Sequence, residues 1–260
     1  MQSGNQPTIE LLPSYHLLVP ESSQYRYSST VREFGQHLDL ICKIRAASSR
    51  EHLAVTFDDA HASQLRYGVP LLQERGLRAI FFAVVNWTGH RSAYMTWEQL
   101  RELVALGHEV QSHGVSHIQL TRCTEIELQN EVANSKSELE QKLGVAIDAI
   151  SIPNGRWNRR VIEACACAGY RRIYTSDPGS SSRVSGTQLI GRWMVTRVTT
   201  LEQVRQVLTG DRRALRMSMA RYRCKLLIRQ VVGEDLYDRV WGVLRSRKSL
   251  REASQSYSAQ

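Results

Sequence analysis

The chain has 260 residues, 42% of them apolar and 23% charged, which is ordinary for a globular protein and excludes disorder over the whole length. The longest apolar run, 79–85, falls far short of the roughly 20 residues needed to span a membrane, and the N-terminus has no charged region followed by a sustained apolar stretch, so a cytoplasmic protein is expected. The formal net charge of +9 is concentrated in one place: twelve Lys/Arg and three Asp/Glu stand between Arg212 and Arg251, which excludes a uniformly basic body and leaves no nucleic-acid partner expected.

From about residue 52 the pattern alternates strand and helix. LAVTF at 53–57 is a short apolar run ending in Asp58-Asp59, the pattern of a buried strand. Residues 61–75 carry Leu65, Val69 and Leu72 at helical spacing and are closed by Gly76. AIFFAVV at 79–85 is the strongest strand signal. TWEQLRELVAL at 96–106 predicts a helix, with Thr96 as N-cap, Gln99 completing a capping box and Gly107 as the stop. A strand over 108–112 runs into His113. A long helix over 121–143 ends at Gly144, and a strand over 148–152 enters the turn Pro153-Asn154-Gly155. A helix follows over 158–168, then a strand over 170–175, a loop over 176–186, a strand over 189–195 and a helix over 200–208. Repeated strand–helix units predict an α/β fold with a parallel sheet. Polar residues just past the strand ends fall where a (β/α) barrel places its active site.

The last fifty residues predict two helices broken near Gly233. In the first, Leu215, Met219, Tyr222 and Leu226 form one stripe among arginines and a lysine. Packing of that stripe on the domain, with solvated charges, accounts for the pattern. The functional alternative is a peripheral membrane or acidic-polymer contact through residues 212–251. The five cysteines, Cys42, Cys123, Cys165, Cys167 and Cys224, are odd in number and include no CxxC pair, the pattern of reduced thiols.

Three clusters carry chemistry when taken together. In Thr56-Phe57-Asp58-Asp59, adjacent carboxylates at a strand end cannot both ionise cheaply without a cation nearby. One can ligate a metal while its neighbour faces the reacting water. In Ser112-His113-Gly114-Val115-Ser116-His117, two histidines four apart lie on one face of a helical turn, so both imidazoles can reach one ion. In Ile152-Pro153-Asn154-Gly155, a tight turn can aim backbone N–H groups at a developing oxyanion. Each cluster alone has a plainer reading: a strand end with a helix cap, two unconnected histidines, an ordinary turn.

Their order and spacing resemble the polysaccharide deacetylase family (NodB-homology domain, carbohydrate esterase family 4). The resemblance covers about 14–198. It rests on TFDDA at 56–60, VPLLQERGLRAIFFAV at 69–84, MTWEQLRELVALGHEVQSHGVSH at 95–117, NEVANSKSELEQKLG at 130–144, IPNG at 152–155 and AGYRRIYTSDPG at 168–179. It implies a distorted (β/α)7-type barrel, with a catalytic domain over 1–209 and a basic helical extension over 210–260. It also implies Asp58 as general base and Asp59, His113 and His117 as ligands of one divalent metal. Zinc is the default, and cobalt or nickel would also fit.

In most members a histidine near the C-terminal end of the domain protonates the leaving amine, and no histidine follows Val198 here. Ser14-Tyr15-His16-Leu17-Leu18 resembles the circularly permuted branch typified by poly-N-acetylglucosamine deacetylases, which makes His16 the expected acid. The resemblance departs at three positions. Ala60 stands where Gly is usual. Gly114 replaces a Ser or Thr that braces the ligand turn. Ser151 replaces an arginine that pairs with the base, and Arg192 is the candidate to supply that charge. Asn154 is the expected backbone oxyanion donor. Pro153, Gly155, Trp87 and Trp157 are expected at the substrate, although packing serves the two tryptophans equally well. His37, His52, His61, His90 and His108 have no motif partner and read as structural or exposed. The expected activity is hydrolysis of an acetyl group, N-linked or O-linked, from a glycan. A catalytically silent glycan-binding relative and an amidohydrolase for a small or lipid-linked substrate remain as alternatives.

Overall fold

In the computed structural model, which describes residues 12–47, 55–178, 181–184 and 186–233, seven parallel strands close on themselves. The chain divides into two compact units, the first ending at Leu215 and the second beginning at Arg216. The first unit opens with β1 (Leu12–Tyr15), β2 (Leu17–Val19), β3 (Ser28–Thr30) and α1 (Val31–Ala47), and continues with β4 (Val55–Phe57), α2 (Val69–Gln73), β5 (Ala79–Ala83) and α3 (Trp97–Ala105). Next come β6 (Glu109–Ser112), α4 (Glu125–Leu143), β7 (Ala149–Ser151), α5 (Arg159–Cys167) and β8 (Arg172–Thr175), then β9 (Ser181–Val184), β10 (Thr187–Met194) and α6 (Leu201–Thr209). Helix α7 (Arg212–Val232) begins just before the boundary between the units.

The ring runs β1-β4-β5-β6-β7-β8-β10, and β1 closes it by pairing with both β4 (Ser14 beside Thr56) and β10 (Ser14 beside Met194). Strand alternation sorts the side chains onto two faces. Phe57, Phe81, Val110, Ile150, Ile173 and Leu189 join the large core under the helices. Leu12, Ile80, Phe82, Ala149 and Tyr174 form a second, small cluster made of strand residues alone, which fills the barrel interior. Above that plug the interior is polar, and this is where the strands' C-terminal ends deliver their chemistry.

Local signals are read out where they were expected. Thr96 and Gln99 form the capping box of α3, and Thr124 with Glu127 caps α4, so that helix starts a few residues later than its periodicity suggests. Gly144 closes α4 at φ 69.

Other segments differ from expectation. The helix expected over 61–75 is present over 62–73, but its middle widens into a π-helical turn, Gln64–Gly68, before α2. Pro70 has no N–H to give to the carbonyl four residues back, and the ladder resets around it. The apolar run at 79–85 ends as a strand at Ala83, and Val85–Trp87 form a 3-10 turn. Part of the loop expected over 176–186 is β9, antiparallel to β10 and outside the ring. Strand β1 and helix α1 were not anticipated. Pro13 argues against a central strand, and Gly35 and His37 interrupt the apolar stripe of Phe34, Leu38 and Ile41. Of the two C-terminal helices, the second lies outside the described residues.

Candidate active site

Five strand ends meet at the top of the barrel. Asp58 and Asp59 follow β4, His16 follows β1, His113 follows β6, Ser151 ends β7, and Arg192 projects from β10. Among the described residues, four non-glycine residues adopt positive φ, namely Asp59, Ala60, His117 and Asn154, and all belong to the motifs singled out from the sequence or adjoin them. Such backbone is costly for residues with a Cβ and persists where surrounding contacts enforce it.

Asp59 Oδ1 lies 3.5 Å from His113 Nε2 and 3.4 Å from His117 Nε2. A tetrahedral ion with ligand bonds of about 2.1 Å holds its ligands about 3.4 Å apart, so the three donors are spaced for a shared cation. Asp59 Oδ1 is buried and has no hydrogen-bond partner among the described residues. Burial and the neighbouring Asp58 charge push its carboxyl up to about 7. Both features fit a site built around a positive ion. His113 Nδ1 lies 2.7 Å from the Ser151 carbonyl, which makes Nδ1 the donor and turns an unprotonated Nε2 toward Asp59. Burial holds His113 and His117 down to about 4, so both are neutral, as ligands must be.

The two histidines do not share a helical turn. They sit in an irregular loop in which Gly114 has φ 80 and His117 has φ 63. Glu131 of α4 secures that loop: its Oε2 accepts the Val115 and Ser116 N–H groups at 2.9 and 3.1 Å, and Oε1 accepts the Ser116 hydroxyl. A Cβ at residue 114 would lie 3.2 Å from Glu131 Oε2. The absence of a hydroxyl side chain at 114 therefore goes with a carboxylate occupying the adjacent space.

Asp58 is held by Arg192. Nη1 donates to Oδ1 at 2.7 Å and Nη2 to Oδ2 at 2.8 Å, while Nη2 also reaches the Ser151 hydroxyl at 2.7 Å. Arg192 is 1% exposed and lies over the rings of Phe82 and Tyr174. Burial by itself raises the Asp58 carboxyl, but the Arg192 guanidinium, with His113 and His16, outweighs it and holds the group well below the usual carboxylate range. His16 Nε2 stands 3.9 Å from Asp58 Oδ2, and its ring stacks on Tyr27. Burial, opposed by Asp58 and reinforced by Arg192 and His117, lowers His16 to about 4.

The sequence reading missed Gln64. Its fully buried amide donates to the His16 carbonyl at 2.6 Å and to the Asp58 carbonyl at 2.7 Å, tying the ends of β1 and β4 together. Glu131 was missed as well. Gln64 belongs to no motif, and Glu131 stands in the 130–144 stretch without a role assigned to it. The one available signal was polarity at positions inside helical patterns, Gln64 beside Leu65 and Glu131 beside Val132.

Trp87 comes to the site, with its ring 4.9 Å from His117 and 4.7 Å from Tyr94, and with Arg91 over it. Trp157 is half-buried against the main core. In the turn after β7, Asn154 is exposed at φ 60 while Pro153 and Gly155 are buried. The Gly155 N–H is taken by the Ile152 carbonyl at 2.9 Å. A Cβ on Gly155 would lie 2.3 Å from Ser176 Oγ, so only glycine fits there. Among the unassigned histidines, His37 bonds the Tyr15 hydroxyl at 3.0 Å and His108 accepts the Ala79 N–H at 3.2 Å.

Residues 45–173 match the family model described as polysaccharide deacetylase. A putative polysaccharide deacetylase of Bacillus subtilis, YxkH, is 30% identical over 57% of this chain and 53% of its own length. A chitooligosaccharide deacetylase of Bradyrhizobium is 27% identical over 52% of this chain and 61% of its own. The chain thus spans little more than half the length of these curated relatives. Among solved structures, the deacetylase PplD of Streptococcus pyogenes shares the fold, with a TM-score of 0.68 at 21% identity over 78% of this chain and 99% of that one. IcaB of Ammonifex degensii superposes with a TM-score of 0.63 at 25% identity, over 76% and 95%. With the closed seven-stranded barrel and the Asp–His–His cluster in place, these matches identify a polysaccharide deacetylase domain over residues 45–173 of the chain.

Proposed function

We propose that the chain is a metal-dependent hydrolase that removes acetyl groups from an N-acetylated glycan. The observation that carries this reading is the grouping of Asp59, His113 and His117 around one point, with Asp58 and His16 beside it. Asp59, His113 and His117 would hold one divalent ion, zinc by its donor set, leaving coordination positions for water and substrate. Such an ion, when bound, supplies Lewis acidity to the water and the acetyl carbonyl.

The protein's own groups account for the proton traffic. Asp58 takes a proton from the attacking water, whose oxygen adds to the carbonyl carbon. The Asn154 N–H is the donor the β7 turn offers to the resulting oxyanion. Pro153 and Gly155 shape that turn. As the C–N bond breaks, His16 delivers a proton to the leaving nitrogen, giving acetate and a free amine. With its pKa near 4, His16 is neutral at the outset, and the proton it delivers is the one Asp58 has taken from the water. Trp87, beside His117, lines the acetyl end of the site, and Trp157 shapes its border. Deacetylation of a glycan requires this full set, whereas a silent binding relative has no need of a base clamped by a buried arginine. The replacements at Ser151 and Gly114 each come with a substitute, Arg192 and Glu131, which favours turnover.

The test is acetate release from N-acetylglucosamine oligomers by purified protein before chelation, after it, and after reloading with zinc. Activity that survives complete metal removal, or an Asp59→Ala protein that retains turnover, would sink the reading.

A further inference from the structure

The 21 residues of α7 hold seven Lys/Arg and no Asp/Glu. Besides the half-buried Leu215, Met219 and Tyr222, a second apolar stripe runs along this helix at spacings of three and four: Met217, Ala220, Cys224, Leu227, Ile228 and Val231. All six are exposed, Leu227 at 61% and Val231 at 86%. Helical periodicity sets Arg216 and Arg223 along one edge of the stripe and Arg221 along the other, and all three are exposed.

An apolar strip between cationic edges has the chemistry of a helix lying in the headgroup region of an anionic bilayer. The strip enters the acyl boundary and the guanidinium groups meet the phosphates. We propose that α7 docks the protein on an anionic lipid surface, lying in the plane of that surface. A second copy of this chain is a poorer occupant, because two such helices would bring like charges face to face with no acidic group between them. A soluble polyanion satisfies the arginines but leaves the apolar strip in water. The docking does not depend on the proposed hydrolysis.

The full chain is to be sedimented with vesicles of phosphatidylcholine alone and of phosphatidylcholine with one-third phosphatidylserine. Binding to the anionic vesicles is expected to exceed binding to the neutral ones by about tenfold or more. Leu227→Gln/Val231→Gln keeps every charge, and Arg216→Gln/Arg221→Gln/Arg223→Gln keeps the strip; each is expected to reduce binding by about tenfold or more. Circular dichroism and melting of both variants are expected to match the parent, because the altered side chains are exposed. Equal sedimentation with neutral vesicles overturns the proposal. So does undiminished binding by the folded Leu227/Val231 variant, preference for added single-stranded RNA over the vesicles, or self-association that buries the strip.

Discussion

Arg192 grips both oxygens of Asp58 from a strand 134 residues away, with neither side chain more than 4% exposed. Removing one partner of such a pair leaves the other charge buried and unmatched. Arg192→Met is therefore expected to lower stability by about 3–5 kcal/mol in chemical denaturation and to reduce kcat at least about a hundredfold, since the base loses its orientation. Arg192→Lys, a point charge in place of a planar fork, is expected to recover part of the stability and little of the rate. Equal stability of the Met variant and the parent would mean the pair contributes nothing to the fold.

Glu131 touches no proposed ligand atom, yet it fastens the loop between the two histidines. Glu131→Ala is expected to weaken zinc binding about 10–100-fold, as loss of supporting groups around metal sites does. Calorimetric titration of the metal-free protein measures this directly. Glu131→Gln keeps one carbonyl oxygen for the two N–H donors and is expected to lose less.

Gln64 binds the carbonyls of His16 and Asp58 with one amide nitrogen. Gln64→Leu fills the same space and leaves both buried acceptors without that donor, so a loss of about 2–4 kcal/mol is expected. A fall in kcat with KM nearly constant would mark Gln64 as a positioning residue. A change in stability alone would limit it to the fold.

His37 is buried against Tyr15, and burial, partly offset by Glu33, lowers it from 6.5 to about 4. Between those values the unfolded chain binds a proton that the folded chain refuses, so stability falls as pH drops from about 6.5 to about 4 and is fully present above that window. His37→Gln keeps a hydrogen-bonding group but does not titrate. Its stability is expected to vary less steeply over that window than the parent's, by up to one proton in the slope of unfolding free energy against pH. Parallel slopes would show that His37 contributes nothing to the acid sensitivity.

Much of the barrel was legible along the chain because its signals are local. Thr96 with Gln99, Gly144, and the apolar runs at 53–57 and 79–85 act within a few residues of themselves, and the strands and helices that follow from them stand close to where they imply. The Asp58-Asp59 pair and the two histidines were legible for the same reason, although the loop around Gly114 is not the helical turn their spacing suggested. The stripe read on α7, Leu215 with Met219, Tyr222 and Leu226, is half-buried except at Leu226, and the stripe through Leu227 and Val231 went unseen beside it. Seven cations spread around one helix blur both stripes in a linear reading.

From β4 onward the sequence by itself settled most strands and helices, and which acids and histidines stand at the ends of β4 and β6, because periodicity, capping and chain adjacency are short-range. Only the tertiary structure decided that β1 closes the ring through a proline-bearing strand, that Arg192, a candidate from the sequence, reaches both oxygens of Asp58, and that Gln64 and Glu131 support the site. Apart from Gln64 with Asp58, those contacts join residues 15 or more positions apart. No fixed spacing encodes them, and they exist only once the closing barrel has excluded water and left each buried polar group to find a partner.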